Sequence, residues 1–146
     1  MNTAVPDYVL LPGWSMPAAS LSPLAQRLDG RSRLLDLPGQ GERRDETMPD
    51  SMAGLARALE HELHDGAVLL GWSLGALAAL AITARGRVQP AALVLITPTP
   101  RFLAGTDWPH GIDPALLARY EDAVQVDAEA VRDEFTSLLL LGDARR

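Results

Sequence analysis

The sequence predicts an α/β domain built on a parallel sheet, and three observations carry that reading. Four short apolar runs, DYVLL (7–11), SRLLDL (32–37), GAVLLG (66–71) and ALVLIT (92–97), are continuous rather than alternating, as in strands buried on both faces. Segments with helical spacing lie between them. Strand and helix alternate at a spacing that suits parallel crossovers.

Each helix has its own signals. Leu21, Leu24, Ala25 and Leu28 fall at i, i+3, i+4 and i+7 behind Ser20 and Ser22, two cap candidates. Met52, Leu55, Leu59 and Leu63 mark one face of a second helix, predicted over 51–64, which Asp50 or Ser51 can cap. From Leu74 to Ala84 the chain is apolar nearly all round, which predicts a central, buried helix. After Thr97 comes a loop punctuated by proline and glycine, PTPRFLAGTDWPHGIDP, and then two short amphipathic helices. Asp113 caps the first, Pro114 takes its first turn, and Leu116, Leu117, Tyr120 and Val124 share a face. Asp127 caps the second, with Val131, Phe135, Leu138 and Leu139 together. There is no internal repeat and no linker between domains.

Composition removes several function classes. With 47% hydrophobic and 22% charged residues, the 146-residue chain can bury a real core. The formal charge of −6 and the lack of a sustained basic stripe argue against nucleic-acid binding. No apolar run reaches the roughly 18–20 residues of a membrane span. The N-terminus MNTAVPDYVLLPGW lacks a basic n-region, so no signal peptide is expected. Cysteine is absent, which excludes disulfides, thiolate chemistry and Cys-zinc sites and fits a cytoplasmic protein.

The chemistry concentrates in LLGWSLGALAALAI (69–82), where Gly71-Trp72-Ser73-Leu74-Gly75 matches G-x-S-x-G between a strand and a helix. That pattern holds a nucleophilic serine on a sharp turn. Bulky neighbours would block the turn, which accounts for Gly71 and Gly75 and for the small Ala76. The alternative reading makes Ser73 no more than the helix cap. A second stretch, LLPGWS (10–15), follows the first strand, where an oxyanion hole draws its other amide. The backbone N–H groups of Trp14 and Leu74 are the candidates, since Pro12 has none to donate and Gly13 lets the chain turn. A third, DLPGQGERRD (36–45), lacks the third glycine and the immediate helix of a dinucleotide fingerprint, so it is not read as a nucleotide site.

Together LLPGWS, LLDLPGQGE, LLGWSLGALAAL, LVLITPTPRF and DWPHGI resemble the α/β-hydrolase superfamily, in that family's order. GWSLG with the TP…F…DWP.GI segment is most similar to the pimeloyl-acyl-carrier-protein methyl ester carboxylesterases of biotin synthesis. The resemblance implies that Ser73 is the catalytic nucleophile, that the Trp14 and Leu74 amides form the oxyanion hole, and that Trp72 and Phe135 line the substrate pocket. It implies no cofactor and no metal. It implies a partial hydrolase core over 1–100, the start of a helical lid over 101–146, and a small ester as substrate, with an acyl-carrier protein as the partner that would deliver it.

There are departures from the family pattern. Pro12 stands where the family has histidine, and Glu134 precedes Phe135. Arg119, Arg132, Arg145 and Arg146 lie in the lid region without a one-to-one match to the family's carrier-gripping arginines. The largest departure is that the family's catalytic aspartate and histidine come later in the chain. His61 and His64 are read as helix-end residues at the rim opposite Ser73, and their i, i+3 spacing beside Glu60 and Glu62 is not read as a metal site. His110 belongs to a loop that does no acid–base work in the family, and neither Asp107 nor Asp143 has a better claim. The expectation is therefore an N-terminal portion carrying the nucleophile half of a triad, poorly stable or self-associating by itself. The competing reading is a non-catalytic remnant or interaction module. Within the fold, a thioesterase, lactonase or perhydrolase would look the same over these residues.

Overall fold

A computed structural model describes residues 5–99 and 101–141, and the chain divides after Thr99 into two compact units. The first unit holds a four-stranded parallel sheet: β1 (Asp7–Leu11), β2 (Arg31–Leu34), β3 (Val68–Trp72) and β4 (Ala92–Ile96), in the order β2-β1-β3-β4. Its helices are α1 (Ser22–Ala25), α2 (Met52–Glu60) and α3 (Leu74–Arg85).

Alternation along the central strands explains why both faces of the sheet are apolar. Val9, Leu11 and Leu69 pack with Leu55, Leu59, Ala78, Ala79 and Ile82 on the face covered by α2 and α3. Leu10 and Leu70 turn the other way, against Leu21, Leu24, Ala25 and Leu28. Leu55 and Leu59 have no exposure at all, and each contributes roughly 1.5–3 kcal/mol by burial. Coverage thins towards the edge, where Val94 of β4 is 41% exposed. Burial on both faces therefore holds for β1 and β3 and fails for the edge strands.

Local chemistry sets the element ends. Ser51 caps α2 by accepting the Gly54 N–H at 3.2 Å. Gly86, in the left-handed region at φ 68°, ends α3. β2 stops at Leu34, shorter than the apolar run. Leu35 still bonds Leu10, and the chain then leaves the sheet towards Pro38, which has no N–H to give. The first predicted helix resolves into a 3-10 turn, Ala18–Leu21, followed by the single turn of α1. The second ends at Glu60, so Leu63 reaches the core from a turn. α3 is apolar nearly all round as expected but not buried on every side, for Leu80 is 40% exposed.

In the second unit, Leu103 bridges Ile112 and Gly105 bridges Trp108, closing a compact loop. α4 (Pro114–Val126) and α5 (Ala128–Leu139) follow. Asp113 accepts the Ala115 N–H, and Asp127 accepts those of Glu129 and Ala130, so both predicted caps are formed. Val131 is the one buried residue on these two helices.

Candidate active site

All four strands run parallel, so the loops after them share one rim of the sheet. The chain passes from β1 outward to β2 and then returns to the opposite side of β1 for β3. Such a reversal opens a crevice beyond the strand ends, the usual ligand position in open α/β sheets. Ser73 follows β3 at this crevice, and residues 12–17 follow β1.

Ser73 has φ 53° and ψ −113°, a conformation seldom adopted by a residue with a side chain. It occupies the N-cap position of α3, yet its hydroxyl makes no capping hydrogen bond, and the residue is exposed. The helix-cap alternative therefore does not describe this serine. Its backbone is held instead: the N–H donates to Ile96 O at 2.9 Å, and its carbonyl accepts from Ala76 and Leu77. The described non-glycine residues with positive φ are Ser15, Ser73 and Thr97, and all three lie just past the C-terminal ends of β1, β3 and β4. Backbone strain is gathered on one rim, as at functional sites generally.

The elbow glycines are required by close approach. A Cβ on Gly71 would stand 2.5 Å from both N and Cα of Ala76. One on Gly75 would stand 2.6 Å from Pro12 O and from the carbonyl carbon of Leu11. α3 thus begins hard against the end of β1. Gly13 closes the arrangement, with its Cβ direction 3.3 Å from the Trp72 ring and 3.5 Å from Ser73 Cβ. Leu74 is the first residue of α3, directly after Ser73, and Trp14 directly follows Gly13. Trp72 is half-buried at the end of β3, packed with Leu10, Leu21 and Leu70. Ser73, Trp72, Leu74, Gly71, Gly75 and the Gly13–Trp14 segment are therefore together on this rim. Phe135 sits on α5, in the other unit.

The histidines are elsewhere. His61 follows α2 at its C-cap, and His64 Nε2 lies 3.1 Å from Asp7 Oδ2, at the start of β1 and so at the opposite rim. A surface cavity of about 480 Å³ lined by Arg57, His61, His64 and Arg87 also lies there, away from Ser73. His110 meets the Trp108 ring edge-on with centroids 5.5 Å apart, and Asp107 pairs with Arg101 at 2.6 Å. Asp143, Arg145 and Arg146 lie outside the described residues; Arg119 and Arg132 are on α4 and α5. Among the described residues no group of three or more His, Cys, Asp or Glu is placed to hold a metal ion. No described helix is long and apolar enough to cross a membrane.

Sequence reasoning passed over Asp36. Its Oδ1 accepts the Ala18 N–H at 2.6 Å and its Oδ2 the Glu42 N–H at 2.9 Å, so one carboxylate joins the loop after β1 to the loop after β2. Nothing local could have revealed a contact 18 residues long.

Comparison with known proteins fits this architecture. A model of the alpha/beta hydrolase family matches residues 8–144. The pimeloyl-[acyl-carrier protein] methyl ester esterase of Stenotrophomonas maltophilia (strain R551-3) is 37% identical over 142 residues, covering 95% of this chain and 54% of its own length. The chain thus spans about half of that relative. Among solved structures, an AqdC variant bound to the Pseudomonas quinolone signal superposes with a TM-score of 0.69 at 20% identity, over 98% of this chain and 53% of that one. The type II thioesterase BorB superposes with a TM-score of 0.59 at 24% identity, over 90% of this chain and 60% of that one. At such identities these two show the fold alone. With a family model matched over nearly its whole length, the chain belongs to the alpha/beta hydrolase family.

Proposed function

We propose that this chain carries the nucleophile half of a serine carboxylesterase that hydrolyses a small carboxylic ester through an acyl-enzyme on Ser73. The observation that carries the reading is Ser73 itself: exposed, held in a positive-φ turn, and with its hydroxyl not spent on the helix it precedes. Attack on an ester carbonyl would place negative charge on the carbonyl oxygen, next to the start of α3. The Leu74 amide and the Trp14 amide are the donors assigned to that oxyanion. Trp72, at the end of β3, is assigned to the acyl pocket, and the family resemblance assigns Phe135 a pocket role as well. The serine proton needs a histidine base oriented by a carboxylate. His61 and His64 stand at the far rim and His110 packs against Trp108, so the base and its aspartate are assigned to the part of the family's length that this chain does not span. No cofactor enters the reaction.

The specific substrate proposed is pimeloyl-acyl-carrier-protein methyl ester, supported by the name of the 37%-identical relative. A second reading, a free ester in place of a carrier-bound one, rests on one observation. α4 and α5 carry Glu121, Asp122, Glu129, Asp133 and Glu134 against Arg119 and Arg132, a charge balance that repels an acidic carrier.

The test is a serine-directed fluorophosphonate on the full-length protein. Labelling that Ser73→Ala abolishes is the expected result; absence of Ser73-dependent labelling sinks the proposal and leaves a non-catalytic remnant of the fold. Panels of methyl esters, thioesters and lactones then separate the reactions this fold supports. An open frame downstream of codon 146 encoding an aspartate and a histidine favours the enzyme, and a native stop favours the remnant.

A further inference from the structure

We propose that Asp36 is a positioning residue for the oxyanion donor at Trp14, an inference that rests on the hydrolase reading above. Residues 12–17 form the loop in question, and both of its ends are pinned. At one end Leu11 is fully buried and paired in register with Gly71 of β3, the strand that feeds Ser73. At the other end Ala18, 2% exposed, opens a 3-10 turn whose N-cap residue, Pro17, has no side-chain oxygen to offer. Asp36 supplies the missing acceptor from another segment, in a short hydrogen bond of 2.6 Å to its carboxylate.

The carboxylate is itself fixed. Its second oxygen accepts the Glu42 N–H at 2.9 Å, in the 3-10 turn Gly41–Arg43. Arg43 closes back on the same segment, with Nη1 donating to the Asp36 carbonyl at 3.3 Å and the Arg43 carbonyl accepting the Gly39 N–H at 2.9 Å. Gly41, at φ 53°, passes so close to the carboxylate that a Cβ there would collide with it. One side chain thus caps two turns from different loops, and the loop containing Trp14 cannot shift without breaking a buried-end anchor. Within that loop Gly13 lies against Ser73, so the segment Asp36 anchors at Ala18 is the one that meets the reacting centre.

The test uses Asp36→Asn, which keeps the shape but removes the charge, and Gly41→Ala, which displaces the carboxylate without altering it. Hydrogen exchange on the full-length protein should show the amides of residues 13–18 exchanging at least about tenfold faster in both variants, with β3 and α3 unchanged. Phosphonylation of Ser73 should reach a maximal rate about 10–100-fold lower, while the half-saturating probe concentration stays within about twofold. Unchanged exchange in the loop, an unchanged maximal rate, or a loss shared equally with the amides of β3 and α3 overturns the proposal. If the wild-type protein is not phosphonylated at all, the hydrolase reading fails, and exchange alone then decides whether Asp36 holds this loop.

Discussion

Substituting Gly71 by alanine tests whether the elbow is held as tightly as its geometry implies. The added methyl would sit 2.5 Å from Ala76 N and Cα, and ordinary contact begins near 3.4 Å, so the backbones must part by about 0.9 Å. Nothing on either side gives way easily. Gly71 is paired with Leu11 of β1 and with Leu95 of β4, and the atoms it would strike are backbone rather than a flexible side-chain end. Overpacking of this kind costs about 1–3 kcal/mol. For a protein of the relatives' length a 2 kcal/mol loss lowers Tm by roughly 4–8 °C. Displacing α3 by nearly 1 Å also displaces the Leu74 amide relative to Ser73, and misplacement on that scale costs about 100-fold in rate. The assay pairs a thermal melt with the rate of fluorophosphonate labelling at Ser73 in the full-length protein. A Gly71→Ala variant that melts and labels like the wild type would refute the claim that close approach of α3 to β3 sets this site.

Other outcomes follow from the same structure. The Glu60 carboxyl is held below its ordinary range, chiefly by its hydrogen bond from Arg85 across α2 and α3. A depressed folded-state value stabilises above the unfolded one, near 4.5, and that contribution disappears as pH falls through the folded value. The stability gap between wild type and Glu60→Gln should accordingly narrow below about pH 4.5; a gap constant from pH 7 to 3 in chemical denaturation would contradict it. Leu59→Ala removes a side chain with no exposure and should cost about 2–5 kcal/mol, read from the urea midpoint. The 146-residue polypeptide produced by itself should self-associate through β4, and Val94→Lys should reduce this in sedimentation velocity. Hydrolysis of a carrier-bound ester, if it occurs, should quicken with added salt, because screening relieves the repulsion from the acids of α4 and α5; slowing would place the carrier on a basic surface.

What the residues reveal in advance depends on how local the physics is. The four strands were readable because their apolar runs are short and continuous, although only β1 and β3 are buried on both faces, and Asp113 and Asp127 because a cap acts two or three residues away. Gly71 and Gly75 announced a tight turn by spacing alone. The positive φ at Ser15 and Thr97 was invisible, since neither is glycine. The first helix was overread for a related reason: its apolar spacing is real, and Leu21, Leu24, Ala25 and Leu28 do share a face, but the backbone satisfies that pattern with turns. That Ser73 would leave its helix uncapped was equally beyond the sequence, because serine is a good cap and only the geometry at φ 53° prevents it.

The sheet order also sets a schedule. Strands after β1 and β2 are laid outward in the order of synthesis, β3 beside β1 and then β4 beside β3. The Ser73 N–H is satisfied by Ile96 O, at the last position of β4. On a ribosome the reactive turn is therefore left open until Ile96 has emerged and docked, however early Ser73 itself was made. The hydrogen bonds that hold Ser73 come from Ile96, Ala76 and Leu77, all of which precede α4 and α5 in the chain.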